Sequence, residues 1–223
     1  MNVITYYADT DSLKDPEVYA LAYTKASPGR RMKTDSFVFD KDRRLSLGVE
    51  MLLIHALEEL GEDPDTSRIE LVGNGKPKLA DSDICFNLSH SEERVMCSVS
   101  DVDVGCDVEK INPIDLELAH RYFFGSEYDA IAAERDSERN ELFYRFWTLK
   151  ESFMKVTGLG FELDLDDFCI ELGDKIGIRQ HVDERAYHFK EYSVGDGYRY
   201  AVCSVNPVFE EKMIPAVLSE IVR

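Results

Sequence analysis

The sequence predicts an α+β protein, α/β sandwich-like in its layering, in which two similar α/β halves are pseudo-duplicated within one chain. Two observations predict it. Strand-type and helix-type segments recur in the same order, strand, helices, strands, over residues 1–102 and again over 103–223. Each half also closes on a near-repeat, VMCSVS at 95–100 and AVCSVN at 201–206. The echo is short, and alternating apolar strands resemble one another readily. If it reflects duplication, the cleft between the halves is the preferred place for a ligand.

The elements follow in order. VITYYA at 3–8 reads as a strand, followed by helices near 16–24 and 44–60. The second carries Leu45, Leu47, Val49, Leu52, Leu53, Ala56, Leu57 and Leu60 as a broad apolar face, with Gly61 placed to end it. Short strands are expected at 69–72, 84–88, 94–100 and 104–110, then helices near 115–123, 126–134 and 138–157. Strands at 168–172, 187–194 and 198–205 complete the second half. The helix at 138–157 has the strongest signal: Leu142, Phe146, Leu149, Phe153 and Val156 form a core-facing stripe, and Gly158 suits its end.

Composition limits the function. At 223 residues with 44% hydrophobic content, the chain can bury a sizeable core, and no apolar run approaches a membrane span. The start lacks a basic stretch followed by an apolar one, so a cytoplasmic location without membrane association is expected. Cysteines 85, 97, 106, 169 and 203 fall singly in apolar surroundings, which points to buried free thiols and to neither disulfides nor zinc. The net charge of -18 argues against a nucleic-acid partner. Against that background two basic clusters stand out, KASPGRRMK at 25–33 and DKDRRL at 40–45.

VGCDVEK at 104–110 poses a physical problem. Strand alternation puts Asp107 and Glu109 side by side on one face, with Val104, Cys106 and Val108 on the other. A solvent-facing edge strand would tolerate the two charges; otherwise a cation must neutralise them. On the 138–157 helix, Trp147, Glu151 and Lys155 repeat at four-residue intervals along one face. Alone, Glu151 and Lys155 make an ordinary surface ion pair and Trp147 a core residue. Brought to Asp107 and Glu109, however, Glu151 completes an all-oxygen site of the kind that suits Mg²⁺, and Lys155 adds a positive charge for phosphates.

VGCDVEK, followed about forty residues later by FWTLKESFMK, resembles the two signature motifs of the surfactin-synthetase-type 4′-phosphopantetheinyl transferases, (I/V)G(I/V)DxE and (F/W)xxKExxxK. GKPKL at 75–79 and FNLSHS at 86–91 fit two further motifs in the family's order, so the resemblance covers essentially the full length. It implies transfer of the phosphopantetheine arm of coenzyme A to a serine of an apo acyl or peptidyl carrier protein, with release of adenosine 3′,5′-bisphosphate. Carried over, Asp107, Glu109 and Glu151 are the Mg²⁺ ligands, and these three with Lys155 are the catalytic residues.

The resemblance also implies the coenzyme A contacts. Lys155 binds the pyrophosphate, Ser89 and His90 contact phosphates, and Gly75, Lys76 and Pro77 form the loop beside the adenine. Arg30, Lys33 and Arg44 serve the 3′-phosphate, with Arg31 aligning less securely, and Lys150 joins the set through its motif. Asp107 and Glu151 count among these contacts through the metal. Cys106 replaces the family's aliphatic residue on the face away from the metal. Glu127 resembles an acid the family places near the site, while Ser126 and Asp129 equally fit a helix cap.

The proton acceptor for the serine stays open between Glu151, a water and His90, because a metal-bound carboxylate is a weak base. Docking of a carrier to so acidic a chain is expected to rest on local basic spots or apolar contact, and the chain is expected to act as a monomer. Two other classes fit less of the sequence: a Mg²⁺-dependent phosphohydrolase acting on a nucleotide, and a non-catalytic coenzyme A or carrier-binding module. An intact Asp107, Glu109, Glu151 and Lys155 weighs against the second.

Overall fold

The computed structural model describes residues 1–223, with side chains at every position other than 136 and 161. β1 (Ile4–Asp9) leads through α1 (Pro16–Lys25) and α2 (Pro28–Ser36) to the long α3 (Asp40–Glu59). A small hairpin of β2 (Ile69–Val72) and β3 (Lys76–Leu79) precedes the hairpin of β4 (Cys85–Ser91) and β5 (Arg94–Ser100). The second half repeats the plan with β6 (Val104–Lys110), α4 (Leu116–Tyr122), α5 (Gly125–Ala133) and the long α6 (Asp136–Thr157). A small hairpin again follows, β7 (Cys169–Glu171) with β8 (Gly177–Arg179), and then the hairpin of β9 (His188–Tyr192) and β10 (Tyr198–Ser204). β11 (Ile214–Ala216) and α7 (Leu218–Ile221) end the chain.

Pairing bears out the duplication. In the first sheet β1 lies against β5 and β5 against β4; in the second, β6 lies against β10 and β10 against β9, all antiparallel. Cys97 and Cys203, the shared cysteines of the echoed segments, sit opposite Tyr6 on β1 and Gly105 on β6. Each long helix buries its apolar stripe on its own sheet, α3 through Leu45, Leu53 and Leu57, α6 through Phe146, Leu149 and Phe153. A third core contains no helical residue: Met96, Val104, Cys106, Val108, Tyr200 and Val202 pack the two sheets together.

The ends depart from a division at 102/103. β11 runs parallel to β1, and Leu218, Ile221 and Val222 enter the α3 core, so the chain returns to its first half after completing the second. The expected elements appear within a few residues of their bounds. α2, β3, β8, β11 and α7 are additional. Among the described residues no helix is long and apolar enough to cross a membrane, and all five cysteines are free, with Cys85 only half-buried.

Two local contacts set where α6 lies. Gly105 is the point of closest approach: a Cβ there would stand 2.2 Å from the Ser152 carbonyl oxygen and 2.5 Å from the Val156 nitrogen. Only a glycine lets the helix backbone rest on the strand. At the helix's far side, Lys150 is fully buried and gives all its protons to the protein, to Glu127 Oε2 at 2.9 Å and to the Leu165 and Phe168 carbonyls, both at 2.7 Å.

Glu127 decides the ambiguity left by its sequence. It accepts from the Ile170 nitrogen at 2.6 Å and caps α5 by accepting from the Phe124 nitrogen at 3.0 Å, so neither Ser126 nor Asp129 is the cap. Burial raises the Glu127 pKa despite Lys150, and burial lowers the Lys150 pKa despite Glu127. Breaking the pair by Lys150→Met is expected to cost about 3–5 kcal/mol in denaturant unfolding at pH 7, since a carboxylate would stay buried alone. A raised acid pKa costs stability above its unfolded value and nothing below it. The deficit of the variant should therefore shrink as pH falls toward the carboxylate range, and a further Glu127→Gln change should recover part of it at pH 7.

Candidate active site

The side chains at the seam between the halves come from β4, β6 and α6. Gly105, Asp107 and Glu109 share the α6-facing side of β6, and the close approach at Gly105 brings Glu151 and Lys155 to the same place. Lys155 Nζ lies 2.6 Å from Asp107 Oδ1 and 3.1 Å from the Cys106 carbonyl oxygen. Burial pulls its pKa down, but Asp107 and its other negative neighbours hold it above the usual lysine value.

The three carboxylates differ in how firmly they are held. Asp107 Oδ1 also accepts from Ser89 Oγ at 2.8 Å, whereas Asp107 Oδ2 is buried without a hydrogen-bond partner. Glu109 accepts from Ser91 Oγ at 2.7 Å, and burial together with Asp107 raises its pKa to about 7. Glu151 makes no hydrogen bond or ion pair with a described residue, and burial and Asp107 raise its pKa as well.

An orphaned buried oxygen and two carboxylates under mutual repulsion fit a small hard cation. Among the described residues no three carboxylate, thiol or imidazole side chains are already gathered closely enough to hold one.

Beside this cluster, a cavity of about 720 Å³ lies wholly within the first half, between α2, α3, the β2–β3 hairpin and β4. Val49, Ile69, Leu71, Pro77, Phe86 and Leu88 give it an apolar wall, and Gly75 lies on its rim. The N-terminus of α2, capped by Ser27 and opened by Pro28, points into it, a favourable end for an anion. Arg30 and Lys33 line the same side.

Arg30 spends its Nε on the buried Glu50 at 2.6 Å, leaving its terminal amino groups without a described partner, and Lys33 has none either. Burial and then Arg30 lower the Lys33 pKa. His90, between Ser89 and Ser91 on β4, lines the cavity; desolvation, then Lys155 and Lys33, lower its pKa. Four basic groups, Arg30, Lys33, His90 and Lys155, thus run from α2 to α6, close enough that Lys33 is affected by Arg30, and His90 by Lys155 and Lys33.

Several expected contacts lie elsewhere. Lys150 is turned into the α6 core, as described. Lys76 Nζ is committed to Asp103 and the Val156 carbonyl oxygen, both at 2.9 Å, and ties the hairpin to the end of α6. Arg44 stands outside the cavity, 3.9 Å from Glu93, and Arg31 bonds the Thr24 and Ala26 carbonyls. Ser89 is saturated inside the protein, donating to Asp107 and accepting from the Val108 nitrogen at 3.3 Å and from Lys155 at 3.1 Å. Trp147 is a core residue, stacked on Phe143 with centroids 5.7 Å apart. Ser91 and Glu50 lie outside the set of expected site residues, although Ser91 repeats Ser89 at strand spacing.

Fold and site together define an enzyme that handles a phosphorylated co-substrate: a cavity lined by Arg30, Lys33 and His90 lies beside a carboxylate and lysine cluster. A family model described as the 4′-phosphopantetheinyl transferase superfamily matches residues 103–203. The chain is 34% identical over 189 residues to the 4′-phosphopantetheinyl transferase Sfp of Bacillus subtilis (strain 168), covering 83% of this chain and 84% of that one. It is 34% identical over 186 residues to the 4′-phosphopantetheinyl transferase psf-1 of Bacillus pumilus, covering 82% and 80%. A third relative, a 4′-phosphopantetheinyl transferase of Bacillus subtilis, is 30% identical over 94% of both chains. The chain belongs to the 4′-phosphopantetheinyl transferase family.

Proposed function

We propose that this enzyme moves the 4′-phosphopantetheine arm of coenzyme A onto a serine of an apo acyl or peptidyl carrier protein and releases adenosine 3′,5′-bisphosphate, with Mg²⁺ held by Asp107, Glu109 and Glu151. The observation that carries the reading is the position of a cavity lined by Arg30, Lys33 and His90 beside the cluster that holds the orphaned Asp107 Oδ2, near enough for Lys155 and Asp107 to act on the His90 charge. The apolar wall accommodates the adenine, and the N-terminus of α2, Arg30 and Lys33 take the 3′-phosphate. The cavity leads past His90, so the pyrophosphate lies toward Lys155.

Bound Mg²⁺ supplies a Lewis acid to the pyrophosphate oxygens. Lys155 neutralises the same oxygens and is itself kept charged by Asp107. The serine oxygen forms a bond to the pantetheine-side phosphorus as the bond to the departing bisphosphate breaks. The serine proton passes to Glu151, directly or through a water. Support for that role is the freedom of Glu151: Asp107 and Glu109 are pinned by serines, and Glu151 is not.

All these side chains come from one chain, which supports a monomer. The net charge of -18 leaves carrier docking to local contacts.

Incubation with coenzyme A, Mg²⁺ and a panel of apo carriers, read by intact mass, is expected to add one phosphopantetheine arm per carrier. EDTA should abolish the gain, and Glu151→Gln should reduce it at least about a hundredfold. Tight coenzyme A binding without a mass gain on any carrier would instead support a binding module.

A further inference from the structure

β6 uses one edge for β10, and its other edge faces β4 without forming a backbone ladder with it. Three side chains of β4 take the place of the missing strand. The Cys106 nitrogen donates to Asn87 Oδ1 at 2.9 Å, the Val108 nitrogen to Ser89 Oγ at 3.3 Å, and the Lys110 nitrogen to Ser91 Oγ at 3.1 Å. Alternation on β4 puts these residues on one side at the two-residue repeat that the β6 amides share.

Each serine performs a second task with the proton it still owns. Ser89 Oγ donates to Asp107 Oδ1, and Ser91 Oγ donates to Glu109 Oε2 at 2.7 Å. The backbone bond fixes the hydroxyl oxygen, which directs its proton onto the carboxylate of the preceding residue. Without that donor, Glu109 has no other hydrogen-bond partner among the described residues, and its carboxylate would be free to turn away from Asp107.

From this geometry we infer that Ser91 is a positioning residue for the metal centre: it holds the Glu109 carboxylate in the orientation the cation needs and does so from the co-substrate half. The inference rests on the Mg²⁺ reading of Asp107, Glu109 and Glu151. Ser91 touches neither the cation nor the co-substrate cavity, so its loss should appear in metal affinity and not in coenzyme A affinity. Partners that orient a metal's ligands are typically worth about ten- to a hundredfold in affinity.

The test is calorimetric titration of Mn²⁺ into the purified parent, Ser91→Ala and Ser91→Thr proteins, with coenzyme A affinity measured without metal and thermal midpoints recorded. Ser91→Ala is expected to bind Mn²⁺ about tenfold more weakly, with coenzyme A affinity within about twofold of the parent. Ser91→Thr, which keeps the hydroxyl, should restore most of the loss even if both variants melt slightly earlier. Parental Mn²⁺ affinity in Ser91→Ala overturns the positioning role, as does failure of threonine to restore it in a folded protein. A parent that binds no Mn²⁺ overturns the metal reading itself, which separates the two failures.

Discussion

Replacing Asp107 by alanine is expected to lower carrier modification by at least about a thousandfold, measured as initial rate by intact mass at saturating coenzyme A and Mg²⁺. The magnitude combines two losses: the buried, partnerless carboxylate oxygen that the proposed mechanism assigns to Mg²⁺, and the counter-charge that keeps Lys155 protonated and oriented. Removing one partner of a buried ion pair also costs stability, but Lys155 keeps about a quarter of its side chain in solvent, which tempers that cost to about 1–3 kcal/mol. Asp107→Asn separates the effects. It retains an oxygen for Ser89 and should fold nearly as well as the parent, yet stay inactive. Normal rates in either variant would remove Asp107 from the chemistry.

The second large effect is expected at Gly105. Alanine would place its methyl group 2.2 Å from the Ser152 carbonyl oxygen and 2.5 Å from the Val156 nitrogen, and both obstacles are helix backbone that no rotamer change can move. α6 must lift from β6. Overpacking of this kind costs about 3 kcal/mol or more, read as an earlier denaturant midpoint. Because Glu151 and Lys155 ride on the displaced turns, turnover should fall about a hundredfold even in the fraction that stays folded, the scale associated with a misplacement of about 1 Å. A Gly105→Ala protein with parental stability would mean that the strand and helix are not held together at this glycine.

How much of this could be read in advance depended on periodicity. Asp107 and Glu109 at a spacing of two, and Glu151 and Lys155 at a spacing of four, each define a shared face, and a face is what the site needs. Lys150 stands one residue from Glu151, about 100° around the helix, and that rotation turns it into the core. The motif supplied its name but not its direction. Lys76 and Ser89 were legible as members of a site-forming segment, whereas their partners, Asp103, Val156, Asp107 and Val108, are set by tertiary packing that local pattern does not encode.

α2 escaped for the opposite reason. PGRRMKTDS buries little beyond Thr34, so it has no apolar stripe to detect, though Ser27 and Pro28 are good helix-start residues. β3, β8 and β11 span only three or four residues each, too few for alternation to declare itself. The duplication, carried in the sequence by the recurring order of segments and one six-residue echo, is plain in the strand pairing.

The return of residues 214–221 to the first half bears on the order of events during synthesis. β1 leaves the ribosome well before β11, yet one of its edges is matched only by that strand, made some two hundred residues later. Until then the first sheet carries an unsatisfied row of amides and carbonyls, the kind of edge on which chains pair with strangers. The second half is thus translated inside an interval that the first half opens and cannot close. Completion of the active-site seam and sealing of that edge both wait on late-arriving chain.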